Sequence, residues 1–150
     1  MKHSSELIVQ ANPATVAEVL ADLATYPSWN DLVSSAEPVE AVDGDPGPAW
    51  LTTLRAQVGP FSRSKQLRFV RDRLEDHEDH CSVRFIRREL DGREHAAWIM
   101  EAEVEPVALI SSVTLTLSYE GGLWIPALGT VLHSAIERAT ERLPAYLEQK

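Results

Sequence analysis

Between residues 35 and 120 the chain offers six strand-like segments, and the stretches between them are too short to hold a crossover helix. The segments fall near 35–43, 49–59, 62–73, 80–88, 95–105 and 110–120, and a seventh candidate lies at 3–10. Turn signals punctuate them: Asp43-Gly44-Asp45-Pro46-Gly47-Pro48, Gly59-Pro60, Glu75 to Asp79, Asp91-Gly92 and Pro106. Parallel neighbours need a connection of roughly a dozen residues or more, so these strands must pair antiparallel. Such a sheet needs a cover for one face. Only the last segment is long enough to supply it.

That segment, from about Leu123, reads as an amphipathic helix. Leu128, Leu132, Ala135, Ile136, Ala139 and Leu143 mark its apolar face, and Glu137, Arg138, Glu141 and Arg142 mark the other. Pro144 should disturb its last turn. Near the start, Asn12 is placed to cap a helix that has Pro13 at its first position. Val16, Leu20 and Leu23 continue the apolar stripe to about residue 25, where Tyr26-Pro27 should end it. A second short helix is expected from Pro27 or Ser28, carrying Trp29 and Leu32. The fold class expected is therefore α+β: a seven-stranded curved antiparallel sheet, two short helices and a long C-terminal helix, in one domain over residues 1–150.

Period-two alternation assigns the faces of the strands. Inward lie Trp50, Thr52, Leu54 and Ala56; Lys65, Leu67, Phe69 and Arg71; Cys81, Val83, Phe85 and Arg87; Ala96, Trp98, Met100, Ala102 and Val104; and Val113, Leu115, Leu117 and Tyr119. Counting out from the turns stacks Leu54, Leu67, Phe85, Trp98 and Leu117 in one row, with Thr52, Phe69, Val83, Met100 and Leu115 in the next. A bulge would shift these rows. The centre is apolar and aromatic, with cations at its ends: Arg71 at one, Lys65 and Arg87 at the other. Outside, Arg84 and Arg88 should lie beside Glu101 and Glu103.

Charge narrows the partners. The net charge of −9 disfavours nucleic acid and anionic membrane. Ten of the fourteen bases sit in residues 55–93, which acidic neighbours in one sheet would pair. No run approaches the ~20 apolar residues of a membrane span, so no stable membrane insertion is expected. The single cysteine, Cys81, and a first ten residues without an apolar leader make a cytoplasmic location the expectation.

At this point the pattern resembles the START-like, or SRPBCC, superfamily with the Bet v-type helix-grip fold, and within it the polyketide cyclase/dehydrase group. The resemblance rests on Asn12-Pro13-Ala14-Thr15-Val16-Ala17-Glu18-Val19-Leu20, on Leu23-Ala24-Thr25-Tyr26-Pro27-Ser28-Trp29-Asn30, on the acidic turn at 43–47, and on the long helix after Gly121-Gly122-Leu123. It implies a cavity between the sheet and the last helix that holds lipids, polyketides or other hydrophobic molecules, with Trp29 near one mouth.

The expected function is binding or transport of such a molecule. Its ligand-binding residues are expected to be Trp29, Trp50, Thr52, Leu54, Phe69, Arg71, Phe85, Trp98, Met100, Leu115, Leu117, Leu128, Leu132, Ala135 and Ile136. Small residues at Thr52, Ala56, Ala96, Ala102, Ala135 and Ala139 leave room beside the large ones. Two alternatives stay open. One is a polyketide cyclase, aromatase or dehydratase, for which Arg71, His133 and Tyr119 are the acid–base candidates. The other is an interaction module with a filled core.

Other chemistry has less support. His77, His80 and Cys81 match no zinc spacing, and Asp43-Gly44-Asp45 lacks the later ligands of a calcium loop. Cys81 with His133 would make a nucleophile pair only if the two met. No phosphate loop, dinucleotide fingerprint or nucleophile elbow occurs, so no cofactor or metal is expected. Trp124 is expected to be exposed, at a dimer patch or a cavity lid; the chain is expected to be a monomer or homodimer.

Overall fold

A computed structural model describes residues 1–77, 80–122, 124 and 127–149, the side chain of Val58 aside. In chain order it contains β1 (Lys2–Val9), α1 (Pro13–Ala21), a 3-10 helix (Leu23–Ser28), β2 (Val33–Val39), β3 (Ala49–Val58), β4 (Phe61–His77), β5 (His80–Arg87), β6 (Ala97–Val107), β7 (Ile110–Glu120) and α2 (Leu128–Leu147). The strands form one antiparallel sheet in the order β1-β7-β6-β5-β4-β3-β2. This is the helix-grip arrangement.

The first helix starts as its sequence dictates. The Asn12 side chain accepts from the Thr15 amide at 2.9 Å, and Pro13 occupies the first turn. It ends earlier than expected, at Ala21. Asp22 breaks it by capping the following 3-10 helix, accepting from the Ala24 amide at 3.0 Å. The Thr25 hydroxyl locks the break by donating to the carbonyls of Val19 and Asp22. Tyr26-Pro27 therefore lies inside the second short helix, with Trp29 just past its end. Pro27 is tolerated because it follows Tyr26 in a turn closed by the Trp29 amide, where a fixed φ costs nothing. The expected start of the last helix at Leu123 lies outside the described residues. From Leu128 it runs unbroken through Pro144 to Leu147.

The alternation put the right side chains inside but stacked them in the wrong rows. Trp50 pairs with Phe69 and Thr52 with Leu67, while Met100 pairs with Leu117 and Trp98 with Tyr119. The reason is turn position, which in both of these hairpins lies one residue away from where those rows require it. Val58 pairs with Phe61 and Val107 with Ile110, so both hairpins close through two residues, and the second turns at Ala108-Leu109 rather than at Pro106. A further shift comes from a bulge between Arg71 and Arg73 in β4. The bulge sends two successive side chains to the outer face: Asp72 pairs there with Arg84 at 2.6 Å, and Arg73 with Glu101 at 3.0 Å. As expected, Arg84 stands directly opposite Glu101 on β6, although its own ion pair is with Asp72; the other expected pairing, of Arg88 with these glutamates, does not form. Glu103 instead meets His80 at 2.6 Å, and Arg88 turns to Asp45.

Asp45 fastens the loop between β2 and β3 to the outside of the sheet. Its side chain is fully shielded from solvent, with Arg68 at 2.5 Å and Arg88 also bonded to it. Gly47 in the same loop lies so close to β4 that an added Cβ would stand 2.3 Å from the Arg71 carbonyl oxygen. The hydrogen bond from Arg68, with further bonds from the Val42 amide and Arg88, holds the Asp45 carboxyl well below the usual carboxylate range. A depressed carboxyl stabilises the fold above its unfolded pKa of about 4, and that contribution fades as pH falls toward the folded value. Asp45→Asn is therefore expected to lower the urea midpoint at neutral pH, with the gap to wild type constant above about pH 5 and narrowing below about pH 4. Urea unfolding over a pH series measures this.

Candidate functional site: the space beneath the last helix

The concave face of the sheet is closed by α2, whose Leu128, Leu132, Ala135, Ile136, Ala139, Leu143 and Leu147 are buried. Trp29, Phe69, Phe85 and Trp98 are the largest side chains wholly inside. An aromatic chain runs through this interior. Trp50 meets Phe85 edge-on at 5.5 Å between ring centroids, Phe85 meets Tyr26 edge-on at 5.6 Å, and Tyr26 leans on Trp29 at 4.4 Å. The Tyr26 hydroxyl donates to the Leu20 carbonyl at 2.9 Å, and burial with nearby Asp22 pushes its pKa far up. It is a fixed, neutral donor. It ties the short helices to the core.

Among the described residues, a small and partly open space of about 30 Å³ lies beneath α2. It is lined by Tyr26, Trp29 and Asn30, by Met100 and Glu101 of β6, by Leu115, Thr116 and Leu117 of β7, and by Ala135, Ile136 and Ala139 of α2. The two alanines leave this gap, because a larger residue on that turn would fill it. At about 30 Å³ it matches the share of one water molecule in the liquid. The roomy cavity expected from the sequence is not present beneath α2. Most of the volume is taken by aromatic side chains.

Of the residues expected to bind ligand, Trp29, Met100, Leu115, Leu117, Ala135 and Ile136 line this space. Trp50, Thr52, Leu54, Phe69, Phe85, Trp98, Leu128 and Leu132 are buried in the surrounding core but do not border it. Three of the buried ones carry polar atoms without a hydrogen-bond partner among the described residues: Trp50 Nε1, Thr52 Oγ1 and Trp98 Nε1. Sequence reasoning missed Tyr26 and Asn30, which the early break at Asp22 swings under α2. It noted the gap at Ala139 without placing that residue in the site.

Arg71 is not a head-group cation in this interior. Its Nη1 donates to the Ala21 carbonyl at 2.8 Å, completing the C-terminal end of α1, where a positive charge is favoured. His133 is exposed on α2, its ring 5.9 Å from that of His3. The Tyr119 hydroxyl donates to the Gly122 carbonyl. None of these three acid–base candidates lines the space. Cys81, on β5, lies in a surface groove against α1, and burial with Asp76 and Glu103 pushes its thiol pKa up. Trp124 packs edge-on against Trp98 at 6.1 Å and is partly buried, so it is not the exposed residue expected. Among the described residues, no group of three or more His, Cys, Asp or Glu side chains is arranged to hold a metal. Glu78 and Asp79, beside His77 and His80, lie outside the described residues. No described helix is long and apolar enough to cross a membrane.

Residues 2–148 match the family described as polyketide cyclase / dehydrase and lipid transport. The chain belongs to that family. Solved structures agree with this member of it on the fold. Human StAR-related lipid transfer protein 5 superposes with a TM-score of 0.80 at 11% identity, covering 99% of this chain and 76% of that one. A START superfamily protein from Mycobacterium smegmatis gives 0.69 at 15% identity, over 99% and 97% of the two chains. Major latex-like protein 151 from Panax ginseng gives 0.68 at 15% identity, over 97% and 96%. No curated protein matches the chain.

The packing around the space yields a direct prediction for this family member. Ala139→Leu adds volume where only about 30 Å³ is free, and overpacking of this kind costs about 1–3 kcal/mol. Leu117→Ala should cost about 2–5 kcal/mol, because its buried side chain leaves a cavity that the stiff sheet cannot collapse. Chemical denaturation of the two variants gives both values.

Proposed function

We propose that the protein binds a hydrophobic small molecule between the sheet and α2, and that α2 shifts outward to admit it. The observation carrying this reading is the small space between the two, walled by Tyr26, Trp29, Met100, Leu115, Leu117 and Ile136 and left open by Ala135 and Ala139. Family membership supports it, since lipid transport is among the activities for which the family is named. So does the printed name of the human lipid transfer protein that shares the fold.

Pockets for drug-sized ligands are roughly 300–1,000 Å³, so a comparable guest must widen the space about tenfold. The polar attachments that would yield are weak ones, and the larger cost is uncovering the apolar face of α2, which the guest must itself re-cover. Arg138 and Arg142 tie α2 to Asp31 at the surface, and exposed pairs of this kind contribute about 0–1 kcal/mol each. A guest removing apolar surface from water gains about 25 cal/mol per Å² in return. Trp50 Nε1 and Thr52 Oγ1, without a hydrogen-bond partner among the described residues, would favour a guest with an oxygen acceptor on its apolar body.

One observation favours a second reading, an interaction module with a solid core: the space as it stands holds about one water. Native mass spectrometry of freshly purified protein, with thermal shifts across lipid and polyketide-like panels, separates the two. Binding predicts a co-purified apolar molecule or stabilisation by a panel member. Ala135→Phe, which plugs the space, should abolish the effect. A clean mass and flat thermal response throughout would leave the solid-core reading.

A further inference from the structure

A surface groove of about 460 Å³ runs along α1 and shares no lining residue with the space beneath α2. One wall is a stripe of α1 at helical spacing: Ala14, Ala17, Glu18 and Ala21. The other is the inner face of the β4–β5 hairpin, which the bulge at Arg71 to Arg73 creates. After the bulge, Leu74 and Asp76 return to the concave side, opposite Val83 and Cys81. Leu74 lies beyond the reach of α1. It is 47% exposed, although Val83 beside it is wholly buried. The buried Cys81 forms part of the floor.

The charge of the groove is one-sided. Its lining holds three carboxylates, Glu18, Asp22 and Asp76, against one guanidinium, Arg71. Arg71 is engaged, its Nη1 donating to the Ala21 carbonyl at 2.8 Å, and Asp22 caps the 3-10 helix. Glu18 and Asp76 are exposed and make no hydrogen bond or ion pair to described residues. Each wall therefore presents an uncompensated carboxylate above an apolar floor. The Cys81 thiol registers the field: after burial, Asp76 and Glu103 are what push its pKa up. Clefts lined by one sign of charge concentrate ions of the other. The dimensions suit a single small molecule. The nine residues of α1 span roughly 13 Å, and about 460 Å³ falls within the roughly 300–1,000 Å³ of small-molecule sites.

We infer that the groove between α1 and the β4–β5 hairpin is a second binding site, for a small organic cation: an amine on a compact apolar body. The body covers Leu74 and rests on Ala14, Ala17 and Cys81, removing from water the apolar surface that α1 leaves bare. The ammonium, with three donors, faces Glu18 on one wall and Asp76 on the other. An anion of the same shape meets those carboxylates as like charges. The space beneath α2 plays no part in this binding, so the two sites stand or fall separately.

The test titrates nitrogen-15-labelled protein with 1-naphthylmethylamine, 1-naphthalenemethanol and 1-naphthoate, which share a ring system and differ in charge. Backbone amide shifts give both the place and the affinity. The amine is expected to move the amides of Ala14, Ala17, Leu74 and Cys81. In low salt it should bind about five- to tenfold more tightly than the alcohol, with naphthoate weakest and the preference shrinking at high ionic strength. Glu18→Gln with Asp76→Asn should bring the amine to within about twofold of the alcohol and leave the alcohol itself unchanged. Ala14→Phe, at an exposed position, should fill the groove and abolish both; if that variant fails to fold, the carboxylate variant still decides. Equal affinities, a preference that the carboxylate variant keeps, or amine binding weaker than about 1 mM overturns the inference. So do shifts confined to Met100, Leu115 and Ala139, which would put the amine beneath α2 and support that site instead. A lysine-rich amphipathic peptide serves as a fourth probe: shifts in the groove from the peptide alone would make it a protein dock and refute the small-molecule class.

Discussion

A seven-stranded antiparallel sheet cannot leave its concave apolar face in water, and the burial of that face against α2 is the interaction on which the rest of the molecule depends. Leu128, Leu132, Leu143 and the alanines between them meet a floor of Trp98, Met100, Leu115 and Leu117. Each large apolar side chain buried in this way contributes about 1.5–3 kcal/mol relative to exposure. Fixing the helix also fixes where the short N-terminal helices can lie. Tyr26 and Trp29 fill the end of the concavity that α2 leaves open, and the Tyr26–Leu20 hydrogen bond holds them there.

The outer face is organised by charge rather than by burial. Arg68 and Arg88 converge on Asp45, Arg84 on Asp72, and Arg73 on Glu101. The basic middle of the chain is thus largely consumed in pairing within the sheet and its loops. Arg71 is used as well, at the end of α1.

The candidate site was legible in part. Trp29, Met100, Leu115, Leu117, Ala135 and Ile136 were readable because inward parity and helical stripe are local properties, and both point at the same layer. Tyr26 and Asn30 were not. Their position follows from Asp22 ending α1 early, a cap whose strength over the Tyr26-Pro27 break the residue pattern did not rank. The rows across the sheet failed for a similar reason. Each depends on the residue at which a hairpin turns, and on one bulge at Arg71 to Arg73. Parity survives such changes on either side of the bulge; register does not.

By itself the sequence determined the strand count, the antiparallel pairing, the inward faces and the covering helix, because short turns and periodicity leave a chain no other way to hide those side chains. The size of the interior space was decided only by tertiary structure. Volume is the small remainder after Trp29, Phe69, Phe85 and Trp98 are packed, and shifting one row by a residue pair moves an entire ring into or out of it. Which arginines remain available was likewise a matter of three dimensions, since a partner such as Asp45 for Arg68 stands 23 positions away in the chain and meets it only when the sheet is built.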